Sequence, residues 1–300
     1  MFAEALVIGS EITLAAYPIL IKQVPTNLWT QIVSRMGVYG LMGLLAIFIR
    51  EPNQFAKIQP LQMGGAGLLN LLHVGTSYKA FKDLPSGNAM AIFYAYPMWN
   101  LLGAWLLLGE TIPMDSLLWV FVALAGMVMI AQPDVGTLLD TKHPVALICA
   151  VLSGLTESAI YFYFKILGKG ETEGTMKRMF ELYGGSFTWI LAALAASSLL
   201  PSASTSASPF QLPKLDLSWK IWLPMLLFNG LVGFGGYLMR FLAIPMVPTL
   251  VFSMLSFIGI VAAYIFGYIF QGEKPSYLAM GGSAMIILAN GVLLSKNGDK

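Results

Sequence analysis

Two carboxylates stand inside long apolar runs of this 300-residue sequence: Glu11, about halfway along 3–22, and Glu157, within 145–166. Ionisable groups are costly in such surroundings and face a cavity or a partner. Two carboxylates at near-equivalent depths could take up and release a proton or touch a substrate. Each could instead pair with an Arg or Tyr of a neighbouring helix and only fix packing. Arg35 and Arg178 form a second pair. For Arg178, snorkelling or pairing with Glu171, Glu173 or Glu181 is expected; Arg35 has no acidic residue nearby in sequence.

Helical spacing sorts further polar residues. Asn70, His73 and Ser77 recur at three and four residues, hence on one face, with Tyr78 and Lys79 beside it. Asn229, Gly233, Tyr237 and Arg240 make a comparable stripe. Such stripes could line a cavity, or could hydrogen-bond between helices at about 0.5–2 kcal/mol each. Asn88, Tyr94, Tyr96, Trp99 and Asn100 crowd one run, in which Pro97 should kink the helix and free a carbonyl near residue 93. Thr249, Ser253 and Ser256 share a face in a later run. His73 has no companion ligands for a metal, so it is read as cavity-lining or internally satisfied.

The elements that must position these residues are apolar helices. Hydrophobic residues make up 57% of the chain and charged ones 11%, against about a quarter charged in soluble domains. A helix needs roughly 20 apolar residues to cross a bilayer. Such runs lie at 3–22, 28–49, 61–82, 85–108, 115–132, 145–166, 178–200, 218–242, 246–271 and 276–295. They are continuous rather than alternating, which argues against a β-barrel. Met1–Lys22 reads as the first span, since it lacks the basic segment and small-residue cleavage site of a signal peptide. The single Cys149 excludes a disulfide framework. A net charge of +2 without a basic block makes nucleic acid an unexpected partner. The glycine runs at 64–67, 233–236 and 281–282 precede no Lys-Ser or Lys-Thr and read as packing sites, not phosphate loops.

The sequence repeats itself. Ser10-Glu11-Ile12-Thr13 through Lys22 aligns without gaps to Ser153-Gly154-Leu155-Thr156 through Lys165, and at the same offset Arg35-Met36 falls on Arg178-Met179. Asn70 and Tyr78 match Asn229 and Tyr237, and Gly109-Glu110 matches Gly272-Glu273. A unit of five crossings ends on the side opposite its start, so a second copy enters the membrane upside down. The expected fold is therefore all-α, with ten transmembrane helices in two inverted five-helix repeats, 1–140 and 141–300. With the N-terminus inside and Arg35 left out as intramembrane, nine Lys/Arg fall in cytoplasmic segments and seven outside, a slight positive-inside preference.

The segments Pro85–Glu110 with Thr111–Ile130, and Pro245–Glu273 with Lys274–Ala289, resemble the drug/metabolite transporter superfamily in its EamA-type branch. Each has a proline, an apolar helix with a small or proline residue midway, a Gly-Glu turn and a short final helix. The second half departs from the first, with Met246-Val247-Pro248 in place of Ser86-Gly87-Asn88 and a turn about three residues later. The resemblance implies ten helices, cytoplasmic ends in a plasma or inner membrane, no cofactor, and a central cavity lined mainly by spans 1, 3, 4, 6, 8 and 9.

These observations point to a secondary transporter working by alternating access, with lipid around it and a coupled proton as a candidate partner. Its expected cargo is a small polar metabolite, best an amino acid or similar zwitterion or organic acid. Its expected substrate residues are Glu11, Arg35, Asn70, His73, Tyr78, Lys79, Asn88, Tyr96, Trp99, Glu157, Asn229, Tyr237 and Arg240. A phosphate-ester or organic-anion exchanger would use Lys79, Arg35 and Arg240 as a clamp. A non-transporting scaffold or receptor would have no need of the repeat. An intramembrane enzyme is not expected, since the sequence has no His-Glu-x-x-His zinc pattern and no nucleophile beside a histidine.

Overall fold

Helices form wherever the sequence offers long apolar runs, and no strand occurs among the described residues. The computed structural model describes residues 1–17, 23–84, 86–133, 144–168, 172–199, 214–272 and 276–298. The expected boundary between the halves, near residue 140, lies outside them.

The first part of the chain contains α1 (Phe2–Leu14), α2 (Leu28–Arg50), a short turn of helix at Pro52–Phe55, α3 (Pro60–Asp83), α4 (Ser86–Phe93), α5 (Tyr96–Gly103) and α6 (Met114–Ala131). The second contains α7 (Pro144–Gly168), α8 (Thr175–Leu199), α9 (Trp219–Leu227), α10 (Phe234–Ala243), α11 (Thr249–Ser256), α12 (Ile258–Gln271) and α13 (Tyr277–Gly298). Local chemistry sets several ends. The Asn27 side chain accepts the Thr30 N–H at 2.8 Å and caps α2, while Pro60 opens α3, where a missing N–H costs nothing. Gly109 and Gly272 both adopt left-handed backbone, φ 65° and 68°, and end the fourth and ninth runs alike.

Eight helical stretches among the described residues are long and apolar enough to cross a membrane. Two of the ten expected spans are not among them. Helix α1 is described over 13 residues only. Helix α3 has the length, at 24 residues, but carries Asn70, His73, Lys79, Lys82 and Asp83. Two spans are broken internally. Pro97 lies in the first turn of α5, just after the break that follows Phe93, as the sequence reading expects. Between α9 and α10 the helix widens to a π turn over Phe228–Gly233, which includes Asn229; such turns favour functional sites.

Burial runs opposite to that of a soluble protein. Leu231 is 75% exposed and Ile269 60%, whereas Glu11 and Arg240 are 3% exposed. Apolar side chains line the outside, and the charges turn inward, as lipid demands. The chain is a multi-pass integral membrane protein.

Residue pairings fix helix directions. Glu11 meets Arg240 and Tyr17 meets Asn229, so α1 runs antiparallel to the α9–α10 span. Ser34 meets Asn229 and Tyr39 meets Phe234, so α2 runs parallel to that span. Gly37 packs on Phe187 and Gly43 on Phe180, opposing α2 and α8. Gln59 reaches Glu181 and Asn70 reaches Ser186, so α3 parallels α8. Gln62 meets Tyr163 and His73 meets Ser153, opposing α3 and α7. Asp115 pairs with Lys296 and Gln132 with Ser276, opposing α6 and α13.

Helix α2 spans about 34 Å at 1.5 Å per residue. Lys57 follows its end, and Lys214 lies at its start, where its carbonyl accepts the Asn27 amide at 2.9 Å. In a Cys149→Ala background, Lys57→Cys and Lys214→Cys should therefore react with an impermeant thiol reagent from opposite faces of a sealed vesicle. Labelling of both from one face would contradict a crossing by α2.

Candidate functional site

Four buried ionisable side chains from four helices meet at the centre. Arg240 on α10 donates through Nη1 to Glu11 Oε1 on α1. Its Nη2 lies 2.6 Å from Glu157 Oε1 on α7, within ion-pair reach although not aligned as a hydrogen bond. His73 Nε2 on α3 lies 3.1 Å from Glu157 Oε2. Tyr96 on α5 donates its hydroxyl to Glu11 Oε1 at 3.3 Å, and Ser158 holds the Tyr96 carbonyl at 3.1 Å.

The hydrogen-bond partners assign the histidine proton. Nδ1 of His73 lies 3.2 Å from both the Ser153 carbonyl oxygen, which only accepts, and the Thr156 hydroxyl, which donates to the Leu152 carbonyl at 2.7 Å, so a hydrogen on Nδ1 satisfies both. The opposite nitrogen then faces a carboxylate oxygen. A proton shared between Nε2 and Glu157 would turn that 3.1 Å contact into a hydrogen bond. With that proton in place, the charges of Glu11, Glu157, His73 and Arg240 cancel.

Arg35 stands on the far side of the same space and makes no ion pair among the described residues. Its guanidinium carbon lies 4.6 Å from the Tyr17 ring centroid, 5.0 Å from Tyr237, 5.3 Å from Tyr39 and 5.7 Å from Tyr78, within cation–π range. The Tyr17 and Tyr39 hydroxyls touch each other. Tyr17 also donates to Asn229 Oδ1 at 2.9 Å, and Asn229 donates to Ser34 Oγ at 3.3 Å.

Between the two groups lies a cavity of about 60 Å³, whose walls include Glu11, Glu157, His73, Arg240, Arg35 and Tyr96. Spans 1, 3, 4, 6 and 8 line it as expected, and span 2 joins them through Arg35. Span 9 contributes no lining side chain. Its Gly259 packs instead beneath the network, where an added Cβ would come within 2.8 Å of Glu11 Oε2 and the Tyr94 hydroxyl. Thr249 accepts from Tyr161 at 3.0 Å, a packing contact, while Ser256, whose hydroxyl lies 2.9 Å from the Phe252 carbonyl, also hydrogen-bonds Glu11 and Tyr96 and so touches the network from span 9. A larger groove of about 870 Å³ opens between α2 and α10, lined by residues such as Met42, Leu45, Phe234 and Leu238. Its lining is mainly apolar, with Arg50, Glu51, Thr172 and Glu173 as the polar members, whereas the smaller cavity gathers the buried ionisable groups.

Of the residues expected from sequence, Glu11, Arg35, His73, Tyr78, Tyr96, Glu157, Tyr237 and Arg240 share this cavity. The others are placed elsewhere. Lys79 is half-exposed and pairs with Asp83 one turn on at 2.5 Å. Trp99 is partly exposed beside Gly154. Asn88 is buried near the start of α4, outside the cavity lining. Asn70 joins α3 to α8 through Ser186 Oγ at 2.8 Å, and Asn229 buttresses Tyr17. Arg178 holds the backbone carbonyls of Leu167 and Glu173, at 3.2 and 3.1 Å, rather than a described carboxylate; Glu171 lies outside the described residues. Tyr17 and Tyr39 are absent from the sequence-based set. Tyr39 had a signal, since it follows Arg35 by one turn and shares its face; Tyr17 had none.

Residues 1–132 match the EamA-like transporter family. The resemblance seen in the sequence is thus borne out over the first 132 residues, and that family belongs to the drug/metabolite transporter superfamily. EamA-like proteins are membrane transporters, not enzymes. No curated relative matches the chain. A solved crystal structure, described only as that of a protein, superposes with a TM-score of 0.72 at 16% identity, covering 97% of this chain and 95% of its own. That likeness shows a shared fold along nearly the whole length.

Two stability effects follow. Removing one partner of a buried ion pair costs about 3–5 kcal/mol because the other charge is stranded. Arg240→Met should therefore lower the melting temperature sharply in detergent, and adding Glu11→Gln should restore part of it. A Cβ on Gly233 would overlap the hydroxyls of Tyr17 and Tyr39. Gly233→Ala should cost about 1–3 kcal/mol, read by the same melting assay, whereas Gly235→Ala, which meets open space, should not.

Proposed function

We propose that this EamA-like chain is a secondary active transporter that moves a small polar metabolite, an amino acid or similar zwitterion or organic acid, by alternating access between two inverted five-helix halves. The observation that carries the reading is the buried ionic network around the central cavity, which ties residues of both halves together. Arg240 of the second half holds Glu11 of the first, and Glu157 of the second half holds His73 of the first.

Helix directions support the inversion. Along the chain of pairings given above, α1 and α7 point opposite ways, as do α2 and α8, α3 and the α9–α10 span, and α6 and α13. Each pair joins elements at corresponding places in the two repeats. The contacts also exchange as a two-fold relation requires: α1 on α10 corresponds to α7 on α3.

The cavity volume of about 60 Å³ is far below the roughly 300–1,000 Å³ of pockets that enclose drug-sized ligands. Taking up a metabolite thus requires the helices to part. Substrate groups would replace the internal partners of Glu11, Glu157 and Arg240 as they separate, so that charge stays compensated throughout. The proton held between His73 and Glu157 supplies a coupling ion. It can leave when a substrate ammonium group takes its place beside the carboxylate. The energy for uphill movement then comes from the proton gradient through differential binding to the two open states. The reading places the carrier in a plasma or inner membrane with both ends in the cytoplasm.

A phosphate-ester exchanger is less well supported. Of its three clamp residues, Lys79 is outside the cavity and Arg240 is already engaged by two carboxylates.

Glu157→Gln removes the group that shares the proton. In proteoliposomes this variant should exchange labelled amino acid across the membrane but should not accumulate it against a gradient, and Glu11→Gln should be tested beside it. Full uphill accumulation by both variants would refute proton coupling through these carboxylates.

A further inference from the structure

Among the described residues, Arg35 is the one cavity-lining cation that the ionic network leaves unused. Glu11 and Glu157 are both committed to Arg240, and Glu157 also faces His73. In the protonated state of the His73–Glu157 pair these four groups are neutral, and the described cavity lining then carries the single positive charge of Arg35. A buried charge of this kind is costly in a bilayer unless something compensates it. Four tyrosine rings lessen the cost through their faces, and the Tyr237 hydroxyl accepts a guanidinium N–H, but they bring no negative charge. Arg35 Nε is buried and has no hydrogen-bond partner. The guanidinium therefore retains donor capacity beside the cavity that also holds the two carboxylates.

We propose that Arg35, in its box of Tyr17, Tyr39, Tyr78 and Tyr237, is the subsite for the substrate's carboxylate. This rests on the transport reading above and sharpens it, because it splits the cavity into two ends. The Arg35 end takes a planar, singly charged oxyanion, which the guanidinium fork matches in shape. The Glu157–Glu11 end takes the ammonium group or, for a simple carboxylic acid, keeps its proton. Either ligand leaves the cavity neutral. A doubly charged phosphate ester would leave net negative charge, and an amine without a carboxylate would leave Arg35 uncompensated. The cavity thus selects monocarboxylates, with or without an amino group, over phosphate esters and amines. Tyr78 and Tyr237, matched in the two halves of the sequence, bring one ring each from α3 and α10 to the box, so movement between the halves reshapes this end of the cavity directly.

The test uses purified full-length protein and a panel of amino acids, each with its α-amide, its decarboxylated amine and its deaminated acid. Binding is measured by titration calorimetry. Wild type should prefer an acid over its amide by about tenfold or more, the range expected for a charge-assisted hydrogen bond. Arg35→Gln should bring that ratio close to one, and Arg35→Lys, which keeps the charge without the fork, should give an intermediate ratio. Should Arg35→Gln not fold, the Lys variant still decides, because a residue that only supports packing has no reason to alter an acid-to-amide ratio. Equal binding of acid and amide by wild type overturns the assignment, as does an unchanged ratio in the Arg35 variants, or no binding by any panel member. The carrier reading is tested separately on the same preparation in proteoliposomes. An Arg35-dependent acid preference without any transport would sink that reading and leave the subsite standing.

Discussion

Charge buried in an apolar medium must be met by charge, and in this protein Arg240 does most of the meeting. One guanidinium on α10 reaches carboxylates on α1 and α7 at once, and α3 adds His73 on the far side of Glu157. No helix of the four satisfies its own ionisable residue. Each depends on elements from the other part of the chain, so the centre is held by pairings that cross between the halves rather than by apolar contact alone. Lipid contributes little to drawing one apolar helix to another, since its tails are as apolar as leucine. Polar pairing and close approach of small residues therefore take over the role that hydrophobic burial plays in water.

The same demand shapes the backbone around the centre. The span containing Tyr96 breaks after Phe93, and the span containing Arg240 widens at Phe228–Gly233. Both interruptions fall beside the cavity. The widened turn carries Asn229 and Gly233, which receive the hydroxyls of Tyr17 and Tyr39; those rings in turn wall in Arg35. Gly259 leaves space for Glu11 and Tyr94 in a similar way. A regular helix with larger side chains at these points would close the space in which the charged groups meet.

An arrangement so balanced favours function over stability. The central groups are paired with one another, the space among them is small, and one proton and one arginine remain available to a ligand. On the transport reading proposed above, a substrate with complementary ends would replace internal pairings without stranding a charge, which a greasy cargo would not do.

Much of this was legible in the sequence because lipid imposes simple rules. Apolar runs of sufficient length announce helices that cross a membrane, and a charged residue within one must turn inward; on that reasoning alone Glu11, Glu157, Arg240 and His73 were marked as central. The motifs of the first 132 residues pointed to the transporter family, and the Gly-Glu turns at Gly109 and Gly272 marked two helix ends. Tertiary structure alone decided who pairs with whom. Lys79 and Arg35 look alike in sequence, each a cation in an apolar run, yet Lys79 finds Asp83 one turn along its own helix while Arg35, among the described residues, is ringed by tyrosines. Residues 11, 157 and 240 are joined by an arginine that reaches across the chain, and no local pattern encodes that reach. Periodicity specifies which face a residue occupies on its own helix; the neighbour facing it is settled only when the helices pack.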